Sequence, residues 1–345
     1  MKALILEKIT TLKDNPEPLK LVEIPIPQPS EKQILLKVLA CGICHTELDE
    51  IEGRTPPPNF PVILGHEVVG RIEKMGPGTT KYKNGDRVGV AWIFSSCGKC
   101  RYCISGNENL CEEFKATGRD ANGGYAQYMV VSEDFAYPIP ELFTDFEAAP
   151  LLCAGVVGYR AIRLTNIKDG DILGLFGFGA SAHIVIQVIK YKFPNSKVFV
   201  FTRPGQKEHQ RLAKELGADW TGATGDNPPE KLNCAIDFTP VWNPVVEGMR
   251  VLNKGGRFVI NAIRKENIDK ENLLKLNYGR DLWQEKELKS VANVTRRDAL
   301  EFLPLAAEIP IKPKVELFDL EDANKALNLL KEGKIQGAGV LKMPD

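Results

Sequence analysis

Beyond Cys153, short apolar segments with strand character alternate with segments of helical periodicity. The strand-like segments are residues 172–176, 198–202, 235–238 and 257–261, and the helix-like segments between them are residues 181–192 and 207–216. A helix that connects two strands allows them to run parallel, because the chain crosses back over the sheet before the next strand begins. We therefore predict an α/β fold with a doubly wound parallel sheet in this part of the chain.

The chain before residue 150 has a different pattern of predicted secondary structure. Short β-rich runs at residues 34–39, 68–73, 87–91 and 125–131 are separated by glycine and proline, and long helical periods are scarce. From about residue 293, helical patterns at residues 297–307 and 320–332 precede a short strand at residues 338–342. Because 345 residues exceed what one ordinary core organises, we predict two domains, of which one is β-rich.

The charge balance and the hydropathy argue against two classes of partner. Lysine and arginine together number 45, as do aspartate and glutamate, so the chain has no net charge to attract a polyanion such as nucleic acid. No apolar run approaches the ~20 residues that a membrane helix requires, and the N-terminal residues lack the pattern of a signal peptide. We expect a cytoplasmic protein without nucleic-acid or membrane partners. In that reducing compartment, clustered cysteines are more typical of metal or catalytic sites than of disulfides.

Four of the eight cysteines lie in one short segment, a lobe at about residues 95–113. They are Cys97, Cys100, Cys103 and Cys111, with the spacing C-x2-C-x2-C-x7-C. Such a loop can direct four thiolates at one Zn²⁺ and close its coordination, which is typical of a structural site. An iron–sulfur cluster is less well supported because Glu112 replaces the proline that usually follows the last cysteine. Unrelated buried thiols and a nucleic-acid zinc ribbon are the other interpretations.

A second set of metal-ligand residues is spread over three segments. One thiolate from the C-x-x-C motif of Cys41 and Cys44, the imidazole of His66 and the thiolate of Cys153 would give Zn²⁺ three protein ligands. The fourth position would remain open for water or substrate, so that the metal could act as a Lewis acid. Taken singly, the C-x-x-C motif could be a redox pair, and a lone cysteine or histidine is often only packed in a core.

The chain contains four motifs in the order CGICHTE, LGHEVVGRIEKMGPG, the four-cysteine lobe and LLCAG. In the order and approximate spacing of these motifs, it resembles the zinc-dependent medium-chain alcohol dehydrogenases over nearly its whole length. The resemblance implies a GroES-like catalytic domain at residues 1–152 and 293–345 and a Rossmann dinucleotide-binding domain at residues 153–292. It also implies that Cys44, rather than Cys41, joins His66 and Cys153 as a catalytic zinc ligand. Glu67 corresponds to the carboxylate beside the metal, and Glu47 to the acid that orients the histidine, usually an aspartate.

A second motif lies between the strand pattern at residues 172–176 and the helix that follows. Gly177, Gly179 and Ala182 form G-x-G-x-x-A, in which the first glycine makes the turn and the second lets the backbone approach a pyrophosphate. Ala182 permits close packing of helix against strand, and the phosphate would bind at the helix N-terminus formed by Ala180, Ser181 and Ala182. A simple strand-to-helix turn is the alternative.

The end of the next strand bears on the choice of cofactor. Thr202 and Arg203 stand where an NAD-binding protein usually has an acidic residue for the ribose hydroxyls. A hydroxyl and a guanidinium suit a 2′-phosphate, so the sequence favours NADP over NAD. Arg203 could instead stack on the adenine, which would leave NAD usable.

The resemblance also implies roles around the reacting carbon. Thr46 would pass the substrate proton onward, and His45 would contact the pyrophosphate. Asp49 takes the place where relatives often end the relay with histidine, so it is either the proton acceptor, directly or through water, or a solvated surface carboxylate. Trp92 would narrow the substrate pocket or, alternatively, belong to a strand core. Val157 would pack beside the nicotinamide.

Together these residues predict an oxidoreductase with two Zn²⁺ per chain that exchanges hydride between a primary or secondary alcohol and NAD(P), reversibly with an aldehyde or ketone. A zinc-free reductase of the same fold is disfavoured because all three catalytic ligands are present. The alternative is a zinc-containing, nucleotide-binding protein of the same fold that is non-catalytic or regulatory. The resemblance further implies a homodimer or homotetramer that associates through the edge of the coenzyme-domain sheet.

Overall fold

The computed structural model describes residues 1–344, which fall into two units along the chain. One comprises Met1–Cys153 and the segment from Val294 onward, and the other comprises Ala154–Asn293. The boundaries predicted from the sequence lie one residue earlier at each junction. Within residues 1–344, none of the helices combines the length and the apolar character that a membrane span requires.

The unit at Ala154–Asn293 is built on a six-stranded sheet in which all neighbouring strands run parallel. Its strands are β11 (Ile172–Phe176), β12 (Lys197–Thr202), β13 (Trp220–Ala223), β14 (Leu232–Asp237), β15 (Leu252–Ile260) and β16 (Glu287–Ser290). Its helices are α4 (Val156–Thr165), α5 (Ala180–Lys192), α6 (Lys207–Glu215) and α7 (Asn243–Val251). The strand order β13-β12-β11-β14-β15-β16 reverses between β11 and β14, as in the Rossmann fold. The predicted doubly wound sheet is confirmed.

The core of this unit explains why its central strands β11 and β12 are largely apolar. Parallel strands covered by helices on both faces bury every side chain, so apolar runs replace an alternating pattern. Phe176 stacks on Phe201 with ring centroids 4.3 Å apart, and Phe258 packs against Phe176 at 5.4 Å. All three side chains are buried in one cluster with the apolar face of α7.

The other unit is β-rich, as predicted. Its strands are β1 (Lys2–Leu6), β2 (Leu19–Glu23), β3 (Gln33–Ile43), β4 (Val62–Ile63), β5 (Val68–Met75), β6 (Arg87–Val90), β7 (Ile93–Ser95), β8 (Lys115–Ala116), β9 (Tyr128–Ser132), β10 (Ala136–Pro138), β17 (Val315–Asp319) and β18 (Ala338–Lys342). Its helices are α1 (His45–Ile51), α2 (Arg101–Ile104), α3 (Asp145–Pro150), α8 (Arg296–Glu308) and α9 (Ala323–Lys331). The main sheet has the order β10-β6-β5-β3-β18-β17, with β9 also paired to β3.

The C-terminal segment belongs to this unit because β18 pairs antiparallel with the end of β3, with Gly339 opposite Ile43. Two smaller sheets, β2-β1-β4 and β7-β8, complete the unit. The strand β3 is the central element: it pairs with β5, β9 and β18 and ends at the residue before Cys44. Its pairing therefore fixes the position of the segment that follows it.

Glu52, immediately after α1, joins that helix to α9. Its side chain is 7% exposed and binds Lys331 and Arg54, and it accepts a hydrogen bond from the backbone N–H of Leu12 at 3.2 Å. Burial alone would raise the pKa of this carboxyl, but the hydrogen bonds from Lys331, Arg54 and Leu12 lower it to about 2.

We expect Glu52→Gln to lower the free energy of unfolding by about 1–2 kcal/mol at pH 7, a value reduced for the partial exposure of both cations. A carboxyl whose pKa falls on folding stabilises the protein above its unfolded pKa and loses this effect as the pH falls towards 2. Urea unfolding of both proteins should show their difference shrinking between about pH 5 and pH 2. Glu7→Gln, which removes the exposed pair with Lys20, is the control and should change stability little. A difference that does not vary with pH would contradict this account.

Candidate active site

Cys44, His66, Glu67 and Cys153 converge in the β-rich unit, with their ligand atoms all within 4.8 Å of one another. Cys44 is the N-cap residue of α1, and His66 and Glu67 directly precede β5. Cys153 lies in a single π-helical turn, Leu151–Gly155, between α3 and α4. Three segments distant in sequence therefore supply one site. The Sγ atoms of Cys44 and Cys153 are 3.9 Å apart.

A close approach between two backbones makes this convergence possible. The backbone N–H of Gly42 donates to the carbonyl of Glu67 at 2.9 Å, so the end of β3 lies directly against the residues before β5. A Cβ atom at position 42 would lie 1.9 Å from Oε2 of Glu67, which no side chain could tolerate. Gly42 in the motif CGICHTE is thus required for the carboxylate of Glu67 to occupy its place.

Glu47 orients the imidazole of His66. Its Oε1 lies 2.6 Å from Nδ1 of His66, and its Oε2 accepts the backbone N–H of Cys44 at 2.8 Å, so the extra methylene relative to aspartate does not prevent the contact. With Nδ1–H donated to the carboxylate, Nε2 is the ring nitrogen available to a metal ion, whose binding there would release any proton that Nε2 carries. Within residues 1–344 this buried Nε2 has no hydrogen-bond partner, and it belongs to the converging group.

The donor set fits a tetrahedral Zn²⁺. Two sulfurs bound to one zinc at about 2.3 Å lie about 3.8 Å apart, close to the observed separation of Cys44 and Cys153, and the unpartnered Nε2 of His66 supplies a third donor. The hydrogen bond with Cys153 holds the pKa of Cys44 well below its ordinary value. Burial alone would lower the pKa of His66, but Glu47 and Cys44 together raise it well above its ordinary value. The site thus gathers one low-pKa thiol and a second thiol around an oriented imidazole.

Cys41, the other cysteine of the C-x-x-C motif, stands outside this group. It is fully buried within β3, and burial raises the pKa of its thiol well above the ordinary value. Cys41 and Cys44 are both free thiols in the structure. The geometry brings Cys44, and not Cys41, to His66 and Cys153.

The four cysteines of the lobe form a second converging group. Cys103 Sγ lies 3.8 Å from Cys97 Sγ and 3.6 Å from Cys100 Sγ, and the backbone N–H of Cys100 points at Cys97 Sγ at 3.3 Å. Four sulfurs at these distances fit a closed zinc tetrahedron. The buried Glu108 of the lobe accepts the backbone N–H of Arg296 at 2.7 Å and its Nε at 3.1 Å, which fixes the lobe to the start of α8.

Two predicted catalytic residues, Thr46 and Glu67, lie at the first group, and a third, Asp49, lies further along α1. The Oγ1 of Thr46 is 3.6 Å from Cys44 Sγ. Glu67 is buried, and burial followed by the charge of Cys44 raises the pKa of its carboxyl. Asp49 is 2% exposed and bound by Nε of Arg54. This burial contradicts the alternative in which Asp49 is a solvated surface carboxylate. His45 is exposed on the first turn of α1.

The glycine motif connects β11 to α5 in the other unit. Gly177 has φ +84°, a conformation that favours glycine, and Gly179 is the N-cap residue of α5 without any side-chain cap. The first hydrogen bond of the helix runs from the N–H of His183 to the carbonyl of Gly179, so the N–H groups of Ala180, Ser181 and Ala182 have no partner within the helix. A Cβ at position 179 would project into open space. These features fit a bound phosphate group.

The side chains of Ser181 and Ala182 pack this turn in place. Ser181 Oγ donates to the carbonyl of Ala154 at 2.7 Å, and Ala182 is fully buried. At the end of β12, the hydroxyl of Thr202 is buried and accepts Nε2 of Gln210 at 2.9 Å, whereas Arg203 is exposed. Of the two residues predicted to contact the ribose of the cofactor or its 2′-phosphate, only Arg203 is exposed to solvent.

Trp92 and Val157 have different surroundings. Trp92 follows β6 and lies outside any strand, which contradicts the strand-core alternative. Its half-buried ring packs against Phe114 at 4.9 Å between centroids, and the guanidinium of Arg119 lies 5.6 Å from its centroid. Val157 is half-buried on the first turn of α4.

Glu50 is a buried charged residue that the sequence did not single out. It lies on α1 three residues after Glu47 and is 1% exposed. The sequence HTELDEI predicts a polar helix, because no feature of the neighbouring residues distinguishes a buried glutamate from an exposed one. Its spacing of four from Thr46 and three from Glu47 is the one signal that could have found it.

Comparisons with known proteins agree with this geometry. The family described as "alcohol dehydrogenase GroES-like domain" matches residues 30–141. The probable alcohol dehydrogenase AdhA of Mycobacterium tuberculosis is 40% identical over 94% of this chain and 92% of its own. An alcohol dehydrogenase of Geobacillus stearothermophilus is 34% identical over 99% of this chain and all of its own. Among solved structures, the cobalt- and zinc-bound thermostable alcohol dehydrogenase of Pyrobaculum aerophilum superposes with a TM-score of 0.83 at 24% identity, covering 99% of each chain.

Proposed function

Because the chain belongs to the medium-chain alcohol dehydrogenase family, whose members are alcohol oxidoreductases, we propose that it is zinc-dependent and transfers hydride between a primary or secondary alcohol and NAD(P). The reverse reaction reduces an aldehyde or ketone. The observation that carries the proposal is the convergence of half-buried Cys44 and Cys153 with buried His66, whose Nε2 has no hydrogen-bond partner within residues 1–344. A similar fold with bound zinc in the Pyrobaculum aerophilum enzyme supports the same metal here.

In this mechanism, Cys44, His66 and Cys153 hold the catalytic Zn²⁺, which when bound supplies a Lewis acid at the alcohol oxygen. Glu47 holds the imidazole in the tautomer that leaves Nε2 as a ligand. Thr46 Oγ1, beside Cys44 Sγ, takes the substrate hydroxyl proton and passes it on. Asp49, three residues further on the same helix, is our candidate for the next acceptor. Glu67 lies beside the ligands to assist their exchange.

The nucleotide binds the other unit in our proposal. The N-terminus of α5, with the residues from Gly177 to Ala182, holds the pyrophosphate. The exposed Arg203 binds the 2′-phosphate, so we favour NADP over NAD. Val157 packs beside the nicotinamide, and Trp92 narrows the substrate pocket towards primary alcohols.

The remaining features concern the chain as a whole. The four lobe cysteines bind a second, structural Zn²⁺. All eight cysteines are free thiols, which suits a reducing compartment, and we propose the cytoplasm. We also propose a homodimer or homotetramer that associates through the edge of the parallel sheet. The edge strand β16 exposes Leu288 between Glu287 and Lys289, and the segment before it exposes Tyr278 and Trp283. These apolar side chains beside an unpaired strand edge would be covered by a second copy of the chain.

The proposal is tested by metal analysis of the purified protein followed by initial rates across an alcohol and aldehyde panel with each cofactor. We expect about two zinc ions per chain, alcohol oxidation that stops on chelation, and a higher kcat/KM with NADP than with NAD. Hydride transfer that survives complete removal of zinc would overturn the metal assignment. Zinc and nucleotide binding without any hydride transfer would favour the non-catalytic alternative.

Arg203→Ser is the variant that tests the cofactor assignment within this series. Removing the guanidinium should reduce kcat/KM with NADP by at least about tenfold and leave that with NAD within about threefold, because a charge-assisted contact to a phosphate contributes on the order of 1.5–3 kcal/mol. An equal effect on both cofactors would show that Arg203 contacts a part that they share, such as the adenine.

A further inference from the structure

The carboxyl group of Glu50 has no role in the mechanism described above. Its side chain is 1% exposed, and within residues 1–344 neither of its oxygens has a hydrogen-bond partner. Buried polar groups in folded proteins are nearly always hydrogen-bonded, and a buried carboxyl without a partner is destabilising. Its presence indicates that a group absent from the chain itself completes its hydrogen bonding.

Glu50 lies close to the catalytic ligands. On α1 it follows Thr46 by four residues and Glu47 by three, so that all three share one face of the helix. Burial, then the charge of Glu47, raises the pKa of Glu50, while His66 and Arg119 act in the opposite direction and Cys44 raises it again. Charges on the metal-ligand group are therefore near enough to act on this carboxyl.

Arg119 interacts with both Glu50 and Trp92. Its guanidinium acts electrostatically on Glu50, but no ion pair within residues 1–344 joins the two, because Arg119 instead binds Asp120 at 2.7 Å. The other neighbour of the guanidinium is the indole ring of Trp92, whose Nε1 is also buried without a partner among residues 1–344. Within residues 1–344, Glu50 and Trp92 therefore each bury a polar group without a partner, and Arg119 acts electrostatically on the first and lies over the ring of the second.

The charges of this cluster indicate which ligand group it accepts. The charged neighbours of Glu50 are already paired, Arg119 with Asp120 and Glu47 with His66, so neither pair offers a free charge to a substrate ammonium or carboxylate. A hydroxyl carries no charge, accepts from Trp92 Nε1 and donates to a carboxyl oxygen of Glu50. A neutral hydroxyl is the group that this set of donors and acceptors suits best.

We propose that Glu50 is a specificity-determining residue that, with Trp92 and Arg119, binds a second hydroxyl group of the substrate, so that the enzyme prefers diols or polyols to mono-alcohols. The inference rests on the proposed alcohol dehydrogenase activity and names its substrate class. A site that hydrogen-bonds a substrate hydroxyl discriminates strongly against an analogue without it, because its buried groups are then left unpaired.

The test compares mono-alcohols with diols of the same carbon number, using 1-propanol against 1,2- and 1,3-propanediol and 1-butanol against 1,4-butanediol. In the wild-type enzyme, kcat/KM for at least one diol should exceed that of its mono-alcohol by about tenfold or more. Glu50→Leu, which keeps an apolar side chain of similar size, should bring this ratio to about one. Glu50→Gln retains a donor and an acceptor and should preserve most of the preference, so it is the matched control.

Saturation-transfer NMR of the same diols provides a readout that needs no turnover. Diol binding that is present in the wild type and in Glu50→Gln but lost in Glu50→Leu supports the inference, even if the protein oxidises no alcohol and the proposed function fails. Equal kcat/KM for diols and mono-alcohols in the wild type overturns it. So does a diol preference that survives in Glu50→Leu, which would show that the hydroxyl is bound elsewhere.

Discussion

Cys44→Ala is expected to reduce kcat/KM for alcohol oxidation by at least about 10³-fold and to lower the zinc content from two ions per chain to one. Lewis-acid assistance contributes several kcal/mol to such a reaction, and about 4 kcal/mol corresponds to three orders of magnitude in rate. Cys44 supplies the thiol whose pKa is lowered in the converging group. With that thiolate absent, His66, Cys153 and the Glu67 carboxylate remain, a weaker donor set from which we expect the ion to be lost.

Cys41→Ala is the matched control, because it removes the same side chain from the same C-x-x-C motif. Cys41 is buried in β3 and lies outside the converging group, so the variant should keep both zinc ions and a kcat/KM within a few-fold of wild type. The substitution should leave only a small cavity, which should lower the free energy of unfolding by about 1 kcal/mol. If both variants lose one zinc and all activity, the two cysteines act together and the ligand assignment fails.

The parallel-sheet unit could be predicted from sequence because its signal is local. Apolar runs such as residues 172–176 are buried on both faces, and the strand observed there, β11, has the predicted bounds. The helix α7 was missed because Asn243, Pro244 and Gly248 weaken its helical propensity. The helix forms because Val245 and Met249 are buried in the core. This stabilisation comes from tertiary packing, which cannot be predicted from a short segment of sequence.

The candidate site was less accessible to sequence reasoning because it depends on contacts between distant segments. The lobe cysteines are close in sequence, so their spacing alone predicts a common ion. Cys44, His66 and Cys153 are not, and residue types alone left Cys41 and Cys44 equivalent until the family resemblance separated them. The structure distinguishes the two cysteines physically, since β3 buries Cys41 within the sheet while Cys44 begins α1.

Burial was the property that the sequence predicted worst. Asp49 and Glu50 are charged residues in a short polar helix, for which exposure is the ordinary expectation. The structure buries both, and it gives Asp49 a cation, Arg54, while leaving the oxygens of Glu50 without a partner within residues 1–344. Because of this difference, we propose Asp49 as a proton acceptor and Glu50 as a substrate-binding group.

Cys103→Ala is expected to remove the structural zinc and to destabilise the lobe with a much smaller effect on catalysis. The lobe has one short helix, α2, and one 3-10 turn, Glu108–Leu110, too little to form a core of its own, so metal binding supplies its folding free energy. We expect a loss of about 3–5 kcal/mol, which would lower Tm by roughly 6–15 °C. Hydrogen exchange in residues 95–113 should become fast, and kcat/KM at low temperature should stay within about tenfold of wild type.

Cys234→Ala is the control for this variant, because Cys234 is buried in β14 and belongs to neither cysteine group. It should retain two zinc ions and slow exchange in the lobe, since it removes only packing contacts in the other unit. Equal losses of Tm in both variants would attribute the effect to packing rather than to metal. Retention of two zinc ions in Cys103→Ala would show that three sulfurs suffice to hold the lobe. Glu108, bound to Arg296, would then be the main restraint on its position.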